Sequence, residues 1–129
     1  MQSVHVPHDA VIENNVVLTP MVVMGGLVHL MEGANIAMGA SLHQRTVVGA
    51  YAIVATGAAV TKNVKPFSRH IPDKPISVNM YAVEKFGFSE YSDEISNYVT
   101  NSATVKSPLI SGIISRYEEL HNRSLRKEY

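Results

Sequence analysis

The chain has 129 residues, enough for one domain with a single core, and no cysteine, which excludes disulfides and thiol catalysis. Eleven Lys and Arg balance eleven Asp and Glu, so no overall field attracts nucleic acid or an anionic membrane. No apolar run approaches the roughly 20 residues that span a bilayer, and no basic-then-apolar leader opens the chain, so a soluble cytoplasmic protein without membrane insertion is expected.

The first element is a repeat. Read in sixes from residue 6, the chain runs VPHDAV, IENNVV, LTPMVV, MGGLVH, LMEGAN, IAMGAS, LHQRTV, VGAYAI, VATGAA and VTKNVK. The first place is aliphatic throughout, from Val6 and Ile12 to Val54 and Val60, and the fifth is small or β-branched, from Ala10 and Val16 to Ala58 and Val64. A helix repeats at three and four residues and an amphipathic strand at two. A period of six, with one large and one small inward residue, describes a short strand plus a corner. Three such sides make a triangular coil, and coils stack by parallel pairing at about 4.8 Å per layer. The expected fold is mainly β, a left-handed parallel β-helix over residues 1–66, with Gly25, Gly33, Gly39, Gly49 and Gly57 at corners that need positive φ or close backbone approach.

Residues 67–80, with the sequence "PFSRHIPDKP" around their start, form a Pro-rich, basic exit loop, and residues 81–129 form a helical C-terminal segment. Tyr91, Ile95, Tyr98 and Val99 share one helical face behind Ser89, a candidate N-cap. A second helix starts at Ser107 with Pro108 in its first turn, its stripe running through Leu109, Ile110, Ile113, Ile114, Tyr117 and Leu120. These helices are candidates to cap one end of the prism, which stacked repeats require. The N-terminal end shows no such cap: either the chain continues upstream in a longer parent or something else covers residues 1–10, a symmetric neighbour being one candidate.

The motifs "HVPHD", "LHQR" and "ISVNMYAVEKFGFS", set on this repeat, resemble the C-terminal half of the UDP-N-acetylglucosamine acyltransferases of lipid A synthesis. The resemblance spans roughly residues 1–100 and implies a homotrimer with active sites in the grooves between prisms. It implies an acyl donor carried as a thioester on acyl carrier protein phosphopantetheine or coenzyme A, a nucleotide-sugar acceptor, and no permanently bound cofactor. His8 matches the family's catalytic base, and Gly26 the glycine whose N–H holds the thioester oxygen. His5, His43, Gln44 and Asn79 match residues that contact the substrate, and Lys85 keeps one positive charge where the family closes the nucleotide pocket with two arginines. The chain departs from the pattern at Leu27, where the family has histidine, at Phe86, where it has the second arginine, and at Tyr81, where it has an acidic residue.

The residues themselves carry part of this reading. His5 and His8 hold the sixth and third places of the repeat, both pointing outward, where a groove between subunits offers an imidazole the partial burial a general base needs. His43 and Gln44 belong to the hexad two coils on, about 10 Å higher. Asp9 faces away from His8, because adjacent strand residues alternate. His29 and His121 fit no motif and read as structural or surface residues. Lys62, Lys65, Arg69, His70 and Lys74 read as a solvated loop or as a platform for phosphates. No metal site is expected: the successive histidine spacings of 3, 21, 14, 27 and 51 hold no HxxxxH pair. The competing reading is a non-catalytic trimeric scaffold, or a truncated remnant of such an enzyme.

Overall fold

The computed structural model describes residues 6–129. From residue 11 to residue 60 the chain is a parallel β-helix of two-residue strands: β1 (Val11–Ile12), β2 (Val17–Leu18), β3 (Val23–Met24), β4 (His29–Leu30), β5 (Asn35–Ile36), β6 (Ser41–Leu42), β7 (Val47–Val48), β8 (Ile53–Val54) and β9 (Ala59–Val60). Val11 faces His29 and His29 faces Val47, so each coil takes three hexads and β1, β4 and β7 make a first wall. The second wall stacks β2, β5 and β8, and the third β3, β6 and β9.

The hexad explains the interior. First-place Leu30, Ile36, Leu42, Val48, Val54 and Val60 and fifth-place Val28, Ala34, Ala40, Ala52 and Ala58 form one buried cluster. Fifth-place Thr46 is also buried, its hydroxyl donating to the His43 carbonyl at 2.8 Å. Corners place their fourth residue at positive φ, as at Leu27 (62°), Arg45 (66°) and Gly33 (73°). At Gly33 a side chain would also strike the Tyr51 ring from the coil above, with a Cβ 2.4 Å from Cδ1. At Gly49 the constraint is backbone approach: a Cβ there would lie 2.3 Å from the Pro66 nitrogen.

The tenth hexad departs from the expected frame. Val64 bridges Val48, and Arg69 and His70 pair with Ile53 and Val54, so this last coil is shorter than the regular three hexads. Val64 thus takes the inward strand place that strict periodicity gives to Pro66. The physical cause is Asn63, whose buried side chain accepts the Val47 N–H at 2.8 Å and donates to Ser124 Oγ at 2.9 Å, replacing a corner with side-chain bonds.

Residues 67–80, read from sequence as an exit loop, hold two further strands. β10 (Ser68–His70) continues the second wall in parallel, and β11 (Ser77–Val78) folds back on it antiparallel, closing that sheet. Three helices follow: α1 (Met80–Lys85), α2 (Ser92–Asn101) and α3 (Pro108–Ser124). Ser89 opens a 3-10 turn, Ser89–Tyr91, instead of capping α2, whose cap position is held by Tyr91 without a side-chain bond. α3 starts after Ser107 with Pro108 in its first turn, as its spacing suggests.

The helices build a second core outside the prism, in which Tyr51, Phe67, Phe88, Ile95, Ile110 and Tyr117 are buried. α3 lies against the first wall, where Arg116 engages both carboxylate oxygens of Glu13 and His29 Nε2 meets the same carboxylate at 2.5 Å. The C-terminal tail then turns back over the end of the prism. Asn63 N–H donates to the Lys127 carbonyl at 2.7 Å and Tyr129 N–H to the Asn63 carbonyl at 3.0 Å, and the Tyr129 ring packs on the prism cluster. The tail and Tyr129, rather than the helices, close that end. At the other end, Val11, Ile12, Val17 and Val23 of the first coil are exposed among the described residues.

Candidate active site

His8, Gly26 and Gln44 recur at the same place of successive coils, which stack them in one column at the corner where the third wall turns into the first. Neighbouring coils are about 4.8 Å apart, which puts Gln44 about 10 Å from His8 along the column. His43 precedes Gln44 at the same corner, and both are exposed, as is His8. His5 lies outside the described residues. The corner therefore gathers an imidazole, a glycine amide, a second imidazole and a carboxamide along one edge of the prism.

Asp9 serves the next coil rather than His8. Its carboxylate accepts the Leu27 N–H at 3.4 Å and lies against Gly26, where a Cβ would sit 3.3 Å from Oδ2. The missing side chain of Gly26 makes room for that carboxylate. Among the described residues the Gly26 N–H donates to no backbone or side-chain acceptor.

Beside this corner, between the first wall and the end of α3, lies a groove of about 440 Å³. Val11, Leu27, Val47 and Leu120 give it an apolar lining, and Arg45, Arg123 and Asp9 are charged groups on it. Asp9, Leu27 and Arg45 are the immediate chain successors of His8, Gly26 and Gln44, so the groove and the column share a corner. Sequence reasoning singled out neither arginine. Arg45 was accessible through its place after Gln44, whereas Arg123 arrives from α3, and no spacing within the repeat announces it.

Asn79 and Lys85 gather elsewhere. They line a second groove of about 380 Å³ against the second wall and its corner with the first, together with Asn15, Asn35, Tyr81 and Phe86. Asn79 is buried as the cap of α1: its carboxamide oxygen accepts the Ala82 N–H at 3.4 Å and its nitrogen donates to the Tyr51 carbonyl at 3.0 Å. Lys85 is exposed, its ammonium close to the centres of the Tyr81 and Phe86 rings (5.6 and 5.5 Å). Within one protomer the predicted site residues thus fall into two groups, on different corners.

The basic cluster at 62–74 is not a single platform. Lys65 is buried, its ammonium donating to the Tyr98 and Val99 carbonyls (3.4 and 3.3 Å) and to Ser102 Oγ (3.1 Å), where it completes the C-terminal end of α2. His70 is turned into the prism under the Tyr129 ring, 3.9 Å away, and burial pushes its pKa down. Arg69 and Lys74 are exposed. A buried amine that already serves three oxygens has no donors left for phosphate. His29 and His121 take structural roles, with Glu13 and Asn63 respectively. Among the described residues no three His, Asp or Glu side chains converge as metal ligands.

Comparison with known proteins bears on this arrangement. No protein-family model matches the chain. The acyl-[acyl-carrier-protein]–UDP-N-acetylglucosamine O-acyltransferase of Herminiimonas arsenicoxydans is 31% identical over 91 residues, 69% of this chain and 35% of that protein. The Pseudomonas savastanoi pv. phaseolicola protein of the same name is 32% identical over 92 residues, 70% and 36% of the two lengths. Over that shared length this chain is a relative of the UDP-N-acetylglucosamine O-acyltransferases. It spans about a third of the length of the curated relatives it matches. The crystal structure of the Francisella novicida UDP-N-acetylglucosamine acyltransferase superposes with a TM-score of 0.70 at 20% identity, covering 97% of this chain and 51% of that one, which establishes the common fold.

Proposed function

We propose that the protein transfers an acyl group from a thioester carrier, acyl carrier protein or coenzyme A, to a hydroxyl or amine of a nucleotide-linked sugar. The observation that carries this reading is the corner column: His8, Gly26 and Gln44 stacked beside an apolar groove, in a chain related to enzymes named for such a transfer. His8 acts as general base. It takes the proton of the acceptor group as that atom attacks the thioester carbonyl carbon. The Gly26 N–H donates to the oxygen that becomes negative, where fixed donors lower the barrier most. Collapse of the tetrahedral intermediate breaks the carbon–sulfur bond, and the departing thiolate recovers the proton from the imidazolium. His5, His43 and Gln44 contact the acceptor.

The working unit is a homotrimer. Asn79 and Lys85 lie at a different corner from His8 within one chain, so a site that uses both groups takes them from adjacent prisms, each outward corner facing a neighbour across a groove. Lys85 supplies the positive charge for the nucleotide phosphates, and Asn79, held by its cap bonds, presents the rigid end of α1. Acting on soluble carriers and nucleotide sugars, the protein works in the cytoplasm.

The test is acyl transfer from acyl carrier protein and coenzyme A thioesters to UDP-sugars, amino sugars included. His8→Ala lowers turnover on the order of 10²-fold or more if the imidazole is the base. Wild-type protein with no transfer, or a variant as fast as wild type, leaves the non-catalytic scaffold as the better reading.

A further inference from the structure

The corner that carries His43 and Gln44 is tied to the far end of the chain. In the regular coils, the fourth residue of a hexad donates its N–H to the third-place carbonyl of the preceding coil. Gly33 reaches the Asn14 carbonyl at 3.0 Å, Arg45 the Gly26 carbonyl at 3.0 Å and Gly57 the Met38 carbonyl at 2.8 Å. The same spacing assigns the Asn63 N–H to the Gln44 carbonyl. In the shortened last coil that N–H turns to the Lys127 carbonyl instead. Arg126 takes its place: Nε donates to the Gln44 carbonyl at 2.9 Å, and Nη1 to the Thr61 carbonyl at 3.0 Å. Leu125, left-handed at φ 61° just past α3, turns the chain toward this corner, and Ser124 Oγ accepts the Arg126 N–H at 3.1 Å.

The substitution matters because Gln44 and Arg45 are the central residues of a turn, closed by the Thr46 N–H on the His43 carbonyl at 3.2 Å. Arg45 at φ 66° makes the turn type II, in which a non-glycine residue at that place is strained. Flipping the Gln44–Arg45 peptide relieves the strain by converting the turn to type I, which suits most residues. The flip also pulls the Arg45 N–H off the Gly26 carbonyl. A guanidinium on the Gln44 carbonyl opposes it. From there a line of bonded peptides runs down the column: Arg126 to the Gln44 carbonyl, the Arg45 N–H to the Gly26 carbonyl, and the Leu27 N–H to the Asp9 carboxylate at 3.4 Å. A cation stands at the donor end and an anion at the acceptor end, so each bond polarises the next in the same sense.

We infer that Arg126 is a positioning residue for the proposed active corner, fixing the peptide on which the His43 and Gln44 side chains are mounted. The inference rests on the acyl-transfer reading for what those side chains contact, and it adds the C-terminal tail, outside the repeat, to the site. Arg126 acts through Gln44 and touches no substrate.

The experiment follows amide hydrogen exchange and acyl-transfer kinetics in full-length wild type, Arg126→Ala and Arg126→Lys. Arg126→Ala should speed exchange of the Arg45 amide at least about ten-fold, the worth of one charge-assisted hydrogen bond. The Gly57 amide, which makes the equivalent bond at another corner, should exchange as in wild type. The same variant should raise KM for the UDP-sugar acceptor about ten-fold with kcat little changed, because the contact it loosens holds ground and transition states alike. Arg126→Lys, which keeps a charged donor, should recover part of both effects. Unchanged exchange at Arg45, equal acceleration at Arg45 and Gly57, or a fall in kcat with KM untouched overturns the inference. Exchange is read without turnover: wild type that transfers no acyl group refutes the acyl-transfer reading, and the two amides still decide whether Arg126 holds the corner.

Discussion

His70 and Tyr129 show how a single side chain can close a solenoid. The register of β10 against β8 places His70 on the inward position above Val54, and Tyr129 lies over its ring. Burial favours the neutral imidazole, so its folded pKa falls below the unfolded value of 6.5. Above 6.5 both states are neutral and the stack contributes in full. As pH falls below 6.5 the unfolded chain takes up the proton first, and stability declines until the folded pKa is passed. Denaturant midpoints measured from pH 8 to pH 5 should therefore show a loss below 6.5, and His70→Phe should remove that arm of the profile. From sequence His70 is one member of a basic run that reads as a solvated loop or a phosphate platform. Only the shortened coil before it turned the ring inward.

At the scale of elements, α3 is held to the prism by an apolar stripe and by Glu13. Burial by itself would raise the Glu13 carboxyl, but hydrogen bonds and charge from Arg116 and His29 outweigh it and hold the pKa below the usual value. Its contribution is complete above pH 4.5 and is lost as pH falls through the lowered folded value. Arg116 is 52% exposed and solvent screens the pair, so Glu13→Gln should cost on the order of 1 kcal/mol at neutral pH. The difference from wild type should shrink below pH 4.5, in a window separate from that of His70. The stripe of α3, with Ser107 before it and Pro108 in its first turn, was legible from spacing except at Leu109, which stays 52% exposed. Its partner Glu13, near the other end of the chain, was not, because a helical period reports which face is buried and not what lies beneath it.

For the whole molecule, the distribution of the proposed site residues over two corners leads to an assembly test. If each site joins the His8 corner of one protomer to the Lys85 groove of the next, inactive His8→Ala and Lys85→Ala proteins should complement one another. Unfolding and refolding them together in equal amounts should restore about a quarter of the sites, since each site then draws its two corners independently. Sites built within one protomer would regain nothing. Sedimentation of the wild-type protein should give three chains per particle, and a monomer would remove the composite site.

The six-residue period determined the β-helix, its three walls and the His8–Gly26–Gln44 column, because in a solenoid each residue's neighbours follow by adding one coil. That arithmetic fails where side chains replace a corner, as Asn63 does, and where the chain leaves the repeat. The tertiary structure alone decided that Lys65 ends a helix, that Tyr129 closes the prism, and that Arg123 meets Arg45 across a groove. These contacts depend on how helices dock and where the tail returns, and packing between distant segments leaves no period in the sequence.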